Sequence, residues 1–486
     1  MLVLSPLLVP LLTALLAVAL VRQPRAQQWL SVVGAAVLVL CALALAVQVG
    51  AAGRESVALG GWPLPYAIEF VVDRLSAALV VIGAVLGLVV LVYQHSSADP
   101  APASPMLHPL VHGLLAAVGG AFLTSDLFNL YVWFELMLMV VLGLLVLGGG
   151  RRHLEAAFKY FALNMVGTLL LLAAVALLYS ATGQLNFTAL AEAARHPAVH
   201  GAMPVYLALL AVAFLLKAGA VPLFCWLPAS YHTLPAPLLA LIGGLVTKVG
   251  VYVLLRLSGQ VFLDTPAAFY DVLGWIAVIT MVSGVLGAAY HWDLRRILAF
   301  HIISQIGYLL LAVALASPGA GAAGLFFLVH NILAKAALFL IAGIIWRSAG
   351  YYDLRRIGGL YPARPLLALL FLVAAFSLVG VPPSSGFWGK FLLVQQAFEA
   401  GRYAWGGFAL AVGALTLYSM VKIWLEGFWK PHPDADRLAI RAARLEPAYG
   451  AVLVLVGLLL ALGLYPQPFV HYAQLATVGF WAGGTP

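Results

Sequence analysis

The sequence predicts an all-α membrane protein that crosses the bilayer about fourteen times. Of its 486 residues, 64% are hydrophobic and only 9% are charged, a composition that soluble globular proteins do not have. Nearly every segment is also an apolar run long enough to cross about 30 Å of hydrocarbon as a helix. Because the polar stretches between these runs are short, we expect no separate soluble domain.

The apolar runs define fourteen predicted transmembrane segments, separated by short polar or basic stretches. In chain order they cover residues 2–21, 29–50, 68–94, 107–123, 126–148, 155–179, 203–224, 235–256, 271–290, 297–315, 322–346, 365–396, 405–428 and 448–465. Residues 186–195, between the sixth and seventh segments, are polar enough to predict a short surface helix.

The remaining composition excludes several functions. The net charge of +8 is carried largely by short loops, so it predicts membrane orientation and no nucleic-acid partner. Cys41 and Cys225 both lie in apolar surroundings and indicate neither a disulfide framework nor a metal site. The sequence has no recognisable nucleophile triad, metal cluster or phosphate loop. We therefore expect no cofactor and no covalent chemistry.

The distribution of lysine and arginine predicts the orientation, because these residues concentrate in cytoplasmic loops. Loops after odd-numbered segments hold 14 of them, and loops after even-numbered segments hold 4. The first group is Arg22, Arg25, Arg151, Arg152, Arg295, Arg296, Arg347, Arg355, Arg356, Arg364, Lys430, Arg437, Arg441 and Arg444. The second group is Arg54, Arg195, Arg256 and Arg402. Both termini are therefore predicted to face away from the cytoplasm.

Residues 214–228 combine an intramembrane charge with a helix break. Lys217 lies in an apolar run with no acid beside it in sequence, and Pro222 follows five positions later. Proline removes a helical hydrogen bond, which membranes tolerate where protein or internal water satisfies the freed backbone. A buried cation beside a broken helix predicts a functional site. The alternative is a lysine that extends to the interface, which requires a position near the end of the span.

An internal repeat places other lysines in a similar setting. Lys248 follows Lys217 by 31 residues, and Lys422 follows Lys390 by 32. Lys390 also lies beside a glycine- and proline-rich break in the twelfth segment. The seventh and eighth segments thus resemble the twelfth and thirteenth, and an offset of five segments makes the repeat inverted, as in many ion transporters.

This repeat predicts four regions. Residues 1–106 form three N-terminal transmembrane helices, 107–256 the first five-helix repeat, 271–430 the second, inverted repeat, and 431–486 a loop and the last helix. Each repeat is predicted to form a proton half-channel around a broken helix.

The chemistry of these positions predicts proton transfer. A charged lysine at mid-bilayer costs about 2.5–3.5 kcal/mol, so a buried lysine can release and regain a proton. Glu135 is the acid that lies well inside the early segments, and we predict that it pairs with Lys217. Opening of the pair would leave the lysine desolvated and ready to pass its proton on. A static ion pair between two helices is the alternative.

The later segments add candidates for a relay. His330 and Lys335 share the eleventh segment, and histidine is suited to proton relay near neutral pH, although a lone buried histidine is often structural. The tenth segment contributes His301, with Ser304 and Gln305 able to hold water. Lys422 and Glu426 are additional candidates, but their spacing of four residues also predicts a local ion pair.

Two basic residues near span ends are predicted to be structural. Arg74 follows Glu69 and Asp73, and Lys159 follows Glu155 by one helical turn. Local ion pairs are expected at both positions.

Four motifs resemble one known family. They are residues 123–135 (LTSDLFNLYVWFE), 217–228 (KAGAVPLFCWLP), 296–308 (RILAFHIISQIGY) and 386–390 (GFWGK). They resemble the antiporter-like subunits shared by Mrp-type sodium/proton antiporters, respiratory complex I and membrane-bound hydrogenases. The resemblance covers essentially the whole chain and is greatest to the D-type Mrp subunits. Lys390 favours these over the M-type subunit of complex I, which typically has glutamate there, although other complex I and hydrogenase subunits also have lysine.

The resemblance implies a function and a site. The family's proton-path positions correspond here to Glu135, Lys217, Lys248, Lys335 and Lys390, with His330 near the path. The implied protein is a proton-translocating subunit of a multisubunit Na⁺/H⁺ antiporter in the bacterial cytoplasmic membrane. Its expected partners are A-, B-, C-, E-, F- and G-type subunits, the lipid bilayer, protons and Na⁺, with K⁺ and Li⁺ as other candidate cations.

Two alternatives remain open at this stage. One is a proton-pumping subunit of a complex I-type oxidoreductase or membrane-bound hydrogenase, with cofactors on other subunits. The other is a solute carrier, which predicts a midplane recognition pocket in place of a lateral row of lysines.

Overall fold

The computed structural model describes residues 2–96, 104–433 and 446–481 and is almost entirely helical. The predicted all-α class is confirmed. Arg437, Arg441 and Arg444, which contribute to the predicted orientation, lie outside the described residues, as does part of the predicted C-terminal region.

The first twelve helices form the N-terminal half of the chain and the beginning of its C-terminal half. They are α1 (Ser5–Ala19), α2 (Pro24–Ala52), α3 (Arg74–His95), α4 (Leu107–Leu123), α5 (Leu127–Val146), α6 (Gly150–Thr182), α7 (Phe187–Ala194), α8 (Pro197–His200), α9 (Met203–Ala218), α10 (Trp226–Ser230), α11 (Ala236–Arg256) and α12 (Ala267–Tyr290). The predicted surface helix is α7, and the side chain of Asn186 caps its start by accepting from the Thr188 and Ala189 amides.

Eight further helices complete the described part of the chain. They are α13 (Leu294–Ala314), α14 (Pro318–Ala349), α15 (Leu360–Ala363), α16 (Pro365–Val379), α17 (Ser385–Glu399), α18 (Tyr403–Ile423), α19 (Glu446–Leu464) and α20 (Gln467–Thr477). Short 3₁₀ turns occupy Leu2–Leu4, Tyr231–Thr233 and Leu354–Arg356, and π-helical turns occupy Leu257–Val261 and Trp424–Trp429.

A helix is present at each of the fourteen predicted segments. Ten of the described helices are long and apolar enough to span a membrane, and α19 with α20 forms a bent pair that can provide one more. The shorter apolar helices α4, α9 and α16 correspond to the other three segments. The bend of 83° before α20 was not predicted.

Two strands precede the third span. β1 (Arg54–Leu59) and β2 (Ile68–Asp73) pair as an antiparallel hairpin, with Arg54 opposite Asp73. The third span therefore begins at Arg74, and its predicted start at residue 68 is wrong. Phe70, Val71 and Val72 of β2 are buried, so the hydrophobic run of the third span extends into this strand. A short apolar run does not distinguish a strand from a helix.

The seventh and twelfth spans are broken as predicted. α9 ends at Ala218 and α16 at Val379, and each is followed by a glycine with positive φ, 78° at Gly219 and 94° at Gly380. Glycine adopts this conformation without the Cβ penalty that other residues pay. The chain then resumes a helix at α10 and α17 respectively.

The eighth and thirteenth spans share a second irregularity. α11 continues into the π-turn Leu257–Val261, and α18 continues into the π-turn Trp424–Trp429. This common ending agrees with the predicted likeness of the two halves. The four predicted region boundaries remain a prediction.

Loops after even-numbered spans lie on one face of the molecule, and loops after odd-numbered spans lie on the other. On one face, Asp126 bridges to Asn186, and the Asp73 carboxylate accepts two hydrogen bonds of 2.9 Å from Arg256. On the other face, Asp293 bridges to Asp353. These contacts join even-numbered loops to one another and odd-numbered loops to one another, as a chain that crosses at every segment requires.

The ion pair predicted for Arg74 is wrong. The guanidinium of Arg74 donates to the Gly50 carbonyl at 3.1 Å, while Asp73 pairs with Arg256. Glu69 accepts from Asn186 at 3.0 Å. Asp73 is distant from Arg256 in sequence, so spacing along the chain could not show this pair. The other predicted local pair, Lys159 with Glu155, is present at 2.5 Å.

The most buried helices form the centre of the molecule. The apolar stretches of α11 and α14 are entirely buried, and the apolar stretch of α13 is almost entirely buried. These three helices carry Lys248, Lys335, His330 and His301. The candidate site thus lies in the protein interior and away from the lipid-facing surface.

Candidate functional site

Lys217 lies at the end of a half-helix and is buried. It is the penultimate residue of α9, just before the break, and its side chain is 5% exposed. Its ammonium nitrogen Nζ donates to the Thr168 hydroxyl at 2.8 Å and lies 5.1 Å from the centre of the Phe134 ring. A hydroxyl and an aromatic face hold this lysine more loosely than a carboxylate would.

The predicted Glu135–Lys217 ion pair is not formed in this structure. Glu135 lies on α5 within electrostatic reach of Lys217, but the described residues contain no contact between them within ion-pair distance. The Glu135 oxygen Oε1 is buried and lacks a hydrogen-bond partner in the described part of the chain. The lysine bonds to Thr168 instead, so this arrangement corresponds to the open state of the predicted pair.

Lys248 and Lys335 occupy the centre and are fully buried. The Lys248 nitrogen donates to the Gly243 carbonyl of its own helix at 2.6 Å. Within the described residues, the Lys335 nitrogen has no hydrogen-bond partner. Lys335 is within electrostatic reach of both Lys248 and Lys390.

Lys390 and His330 both lie at the second break and make separate sets of hydrogen bonds. Lys390 donates to the carbonyls of Leu378 and Val379, at 3.0 and 2.8 Å, across the gap between α17 and α16. These are the last carbonyls of α16, where the helix dipole favours a positive charge. His330 Nδ1 lies 2.9 Å from the Ser385 hydroxyl.

Ser377 completes this network. Its hydroxyl lies 3.0 Å from that of Ser385, so a continuous set of hydrogen-bonding groups runs from His330 to the end of α16. The structure therefore brings His330, Ser385 and Ser377 together around the break.

The two lysines beside the breaks are not placed alike. Lys217 precedes its break at the end of α9, whereas Lys390 follows its break within α17. The spacings of 31 and 32 residues do not reveal this difference. Both lysines nevertheless lie next to an interrupted helix, where free backbone groups and buried charge coincide.

The additional candidates are in different surroundings. His301 is fully buried on α13, and its Nε2 lies 3.0 Å from the Ser419 hydroxyl. The predicted Lys422–Glu426 pair is wrong. Lys422 donates to the carbonyls of Ala289 and His291 at the end of α12, at 2.6 and 2.7 Å. Glu426 pairs with Lys430 at 3.1 Å.

Several buried polar groups near this row have no protein partner in the described residues. They include the side-chain atoms of Ser304, Gln305 and Asn331, together with Thr247 Oγ1 and His330 Nε2. Buried polar groups are normally hydrogen-bonded, and ordered water supplies the missing partners in many proteins. These residues are therefore suited to hold water between the lysines and histidines.

Sequence reasoning missed three hydroxyl residues of the site, Thr168, Ser385 and Ser419. Each touches a predicted relay residue, but the two partners are 49 to 118 residues apart in sequence. The available signal was weak: Thr168 and Ser419 are hydroxyl residues within apolar spans, and Ser385 lies in the second break. No group of three or more histidine, cysteine, aspartate or glutamate side chains within the described ranges could hold a metal ion.

Residues 124–416 match the family described as NADH:quinone oxidoreductase/Mrp antiporter, TM. A similar protein is the D-type subunit of the Na⁺/H⁺ antiporter of Alkalihalophilus pseudofirmus, 36% identical over 97% of this chain and 95% of its own length. The chain belongs to this family. The predicted resemblance is therefore confirmed.

Solved structures of the family show the same fold. A chain of the Mrp complex from Dietzia sp. DQ12-45-1b superposes with a TM-score of 0.91 at 31% identity, covering 99% of this chain and 98% of that one. A chain of the membrane-bound sulfane sulfur reductase, an archaeal respiratory membrane complex, gives 0.87 at 25% identity, covering 98% and 97%. The fold is thus shared by antiporter and respiratory assemblies.

Proposed function

We propose that the chain is a proton-translocating subunit of a multisubunit Na⁺/H⁺ antiporter. The observation that carries the proposal is a set of four buried lysines, Lys217, Lys248, Lys335 and Lys390. Within the described residues, none of them has an acidic side chain at ion-pair distance. Buried lysines held by hydroxyls and carbonyls can exchange protons, whereas a closed ion pair favours the permanently charged form.

Glu135 and Lys217 would act as the gate of the first half. In the open arrangement the Lys217 amine bonds to Thr168 and Glu135 Oε1 is unpartnered in the described chain. Movement of the lysine from Thr168 to Glu135 would close the pair and hold the proton. The return movement would leave the lysine desolvated and able to pass its proton to water.

The proton would then cross the centre through Lys248 and Lys335. The polar side chains of Ser304, Gln305 and Asn331 supply hydrogen-bonding sites for water along α13 and α14. On the far side, His330 and Lys390 both lie at the second break. Histidine can accept a proton at one ring nitrogen and release one at the other, which fits a position between Lys335 and Lys390.

The relatives favour antiport over redox-driven pumping. The similar protein from A. pseudofirmus is named as part of a Na⁺/H⁺ antiporter, and the Mrp structure is more similar than the sulfane sulfur reductase in both TM-score and identity. We therefore propose hetero-oligomeric Mrp-type partners and a location in the bacterial cytoplasmic membrane, with the basic odd-numbered loops on the cytoplasmic side.

The test uses inside-out vesicles that contain the complete assembly. The vesicles are energised to an acid interior, Na⁺ is added, and the pH gradient is followed with a fluorescent dye. We expect Na⁺ to collapse the gradient in wild type and in Arg25→Ala, which removes an exposed basic side chain outside the path. Lys217→Ala should abolish the collapse at matched protein levels.

Two outcomes contradict the proposal. Full activity in Lys217→Ala would exclude this lysine from the proton path. If wild type shows no collapse with Na⁺, K⁺ or Li⁺ but builds a gradient when a reductant is added, the chain belongs to a redox-driven pump.

A further inference from the structure

A large polar pocket opens on the face of the odd-numbered loops, away from the lysine row. Its volume is about 670 Å³, within the range of small-molecule sites. Three separate segments line it: the first turns of α6, the chain after α10, and the connection between α12 and α13. The residues used below are Arg152, Lys159, His232, His291, Arg295 and Arg296.

The charges around this pocket do not balance. Four permanently basic side chains line it, against the two acids Glu155 and Asp293. Both acids are already paired, Glu155 with Lys159 at 2.5 Å and Asp293 with Arg295 at 3.4 Å. In the described chain this leaves Arg152 and Arg296 without an acidic partner.

The unpaired charge affects two of the three histidines that line the pocket. Burial and then the positive charge of Arg296 lower the pKa of His232 and of His291. Both histidines are therefore protonated less readily than a histidine in water. Arg295 contributes a buried Nε–H group that has no acceptor within the described residues.

These features fit an anion with several oxygen acceptors. Guanidinium groups bind phosphate with parallel hydrogen bonds, and the two arginines come from different segments of the chain. Basic pockets between transmembrane helices on the cytoplasmic side are suited to phospholipid headgroups. The volume exceeds what a single inorganic phosphate needs, which favours a headgroup.

We propose that this pocket binds a phosphate-bearing anion through Arg152 and Arg296, with the headgroup of an acidic phospholipid as its source. The bound anion would join the start of α6, the chain after α10 and the start of α13, which belong to the connections after the fifth, seventh and ninth spans. None of the predicted relay residues lines the pocket, although Lys422, an additional candidate, donates to the carbonyl of His291 at its edge.

The test measures lipid retention by the complete assembly. Delipidated complex is titrated with phosphatidylglycerol, and native mass spectrometry counts the lipids that remain bound. In Arg152→Gln/Arg296→Gln, the apparent affinity of one retained lipid is expected to fall by about tenfold or more. Arg22→Gln/Arg25→Gln is the matched control, because both arginines are exposed on the same face outside the pocket.

A charge-conserving variant and a second probe complete the design. Arg152→Lys/Arg296→Lys should retain most of the binding, which separates loss of charge from misfolding. In parallel, line broadening of inorganic phosphate in ³¹P NMR reports binding of the free anion. Broadening that depends on the two arginines, with unchanged lipid retention, would identify free phosphate as the source. If neither probe responds to the double glutamine variant, the proposal is overturned.

Discussion

Lys217 shows that a buried charged residue can be predicted from the sequence although its contacts cannot. An intramembrane lysine beside a break is visible in the sequence, and its burial follows from the length of the apolar run. Its contact with Thr168 depends on the packing of α9 against α6, which brings residues 49 positions apart within 2.8 Å. The sequence alone therefore does not show that a hydroxyl is the partner of this lysine.

This contact leads to a prediction for Thr168→Val. The substitution preserves the shape of the side chain but removes the acceptor of the Lys217 nitrogen. A buried donor that loses its partner costs about 1–3 kcal/mol, so the lysine should move towards Glu135 and close the ion pair. We expect Na⁺-dependent proton exchange in vesicles to slow roughly tenfold.

Thr416→Val provides the control for this prediction. Thr416 is a buried threonine in another span, and its hydroxyl donates to the Val412 carbonyl of its own helix at 2.8 Å. The control should exchange at the wild-type rate. Equal rates in the two variants would show that Thr168 does not hold the gate.

At the scale of elements, the second break depends on how closely α17 approaches α16. A Cβ atom at Gly386 would collide with the Ser377 carbonyl oxygen and would lie 2.9 Å from His330 Cε1. The absence of a side chain lets the Ser377–Ser385–His330 network form. This explains why a glycine follows Ser385 at the first turn of α17.

Gly386→Ala is therefore expected to destabilise the protein. The obstacle is backbone, which cannot rotate away, and overpacking of this kind costs about 1–3 kcal/mol. We expect a lower thermal unfolding midpoint in detergent, measured by size-exclusion chromatography with fluorescence detection. Gly407→Ala on α18 is the matched control, because nothing lies within 4 Å of its added Cβ. An unchanged midpoint in Gly386→Ala would mean that α17 can shift without cost.

At the scale of the whole molecule, the alternation of loops fixes which loops share a face. The β1–β2 hairpin and Arg256 lie on one face, and the pocket lined by Arg152 and Arg296 opens on the other. The fold does not state which face meets the cytoplasm. The charge distribution predicts the orientation, because basic loops prefer the cytoplasmic side.

Orientation can be measured with single cysteines in a background where Cys41 and Cys225 are replaced by alanine. In right-side-out vesicles, a membrane-impermeant thiol reagent should label Gly61→Cys in the β1–β2 hairpin. It should not label Arg25→Cys until the membrane is permeabilised. The two sites control for each other, and the reverse pattern would invert the predicted orientation.

The sequence by itself determined the class, the number of spans, the two breaks and the identities of the charged residues. These properties follow from hydrophobicity, helix-breaking residues and charge, which act along the chain or over a few neighbouring positions. Lys217, Lys248, His330, Lys335 and Lys390 could be selected in this way. Their roles in proton transfer remain a prediction.

The tertiary structure decided which groups meet. It replaced the predicted partners of Lys217, Arg74 and Lys422 with a hydroxyl and backbone carbonyls from distant segments, and it placed a strand where the third span was predicted to begin. The physical reason is that side-chain contacts depend on how helices cross and how closely they pack. Neither is specified by the order of residues within a single span.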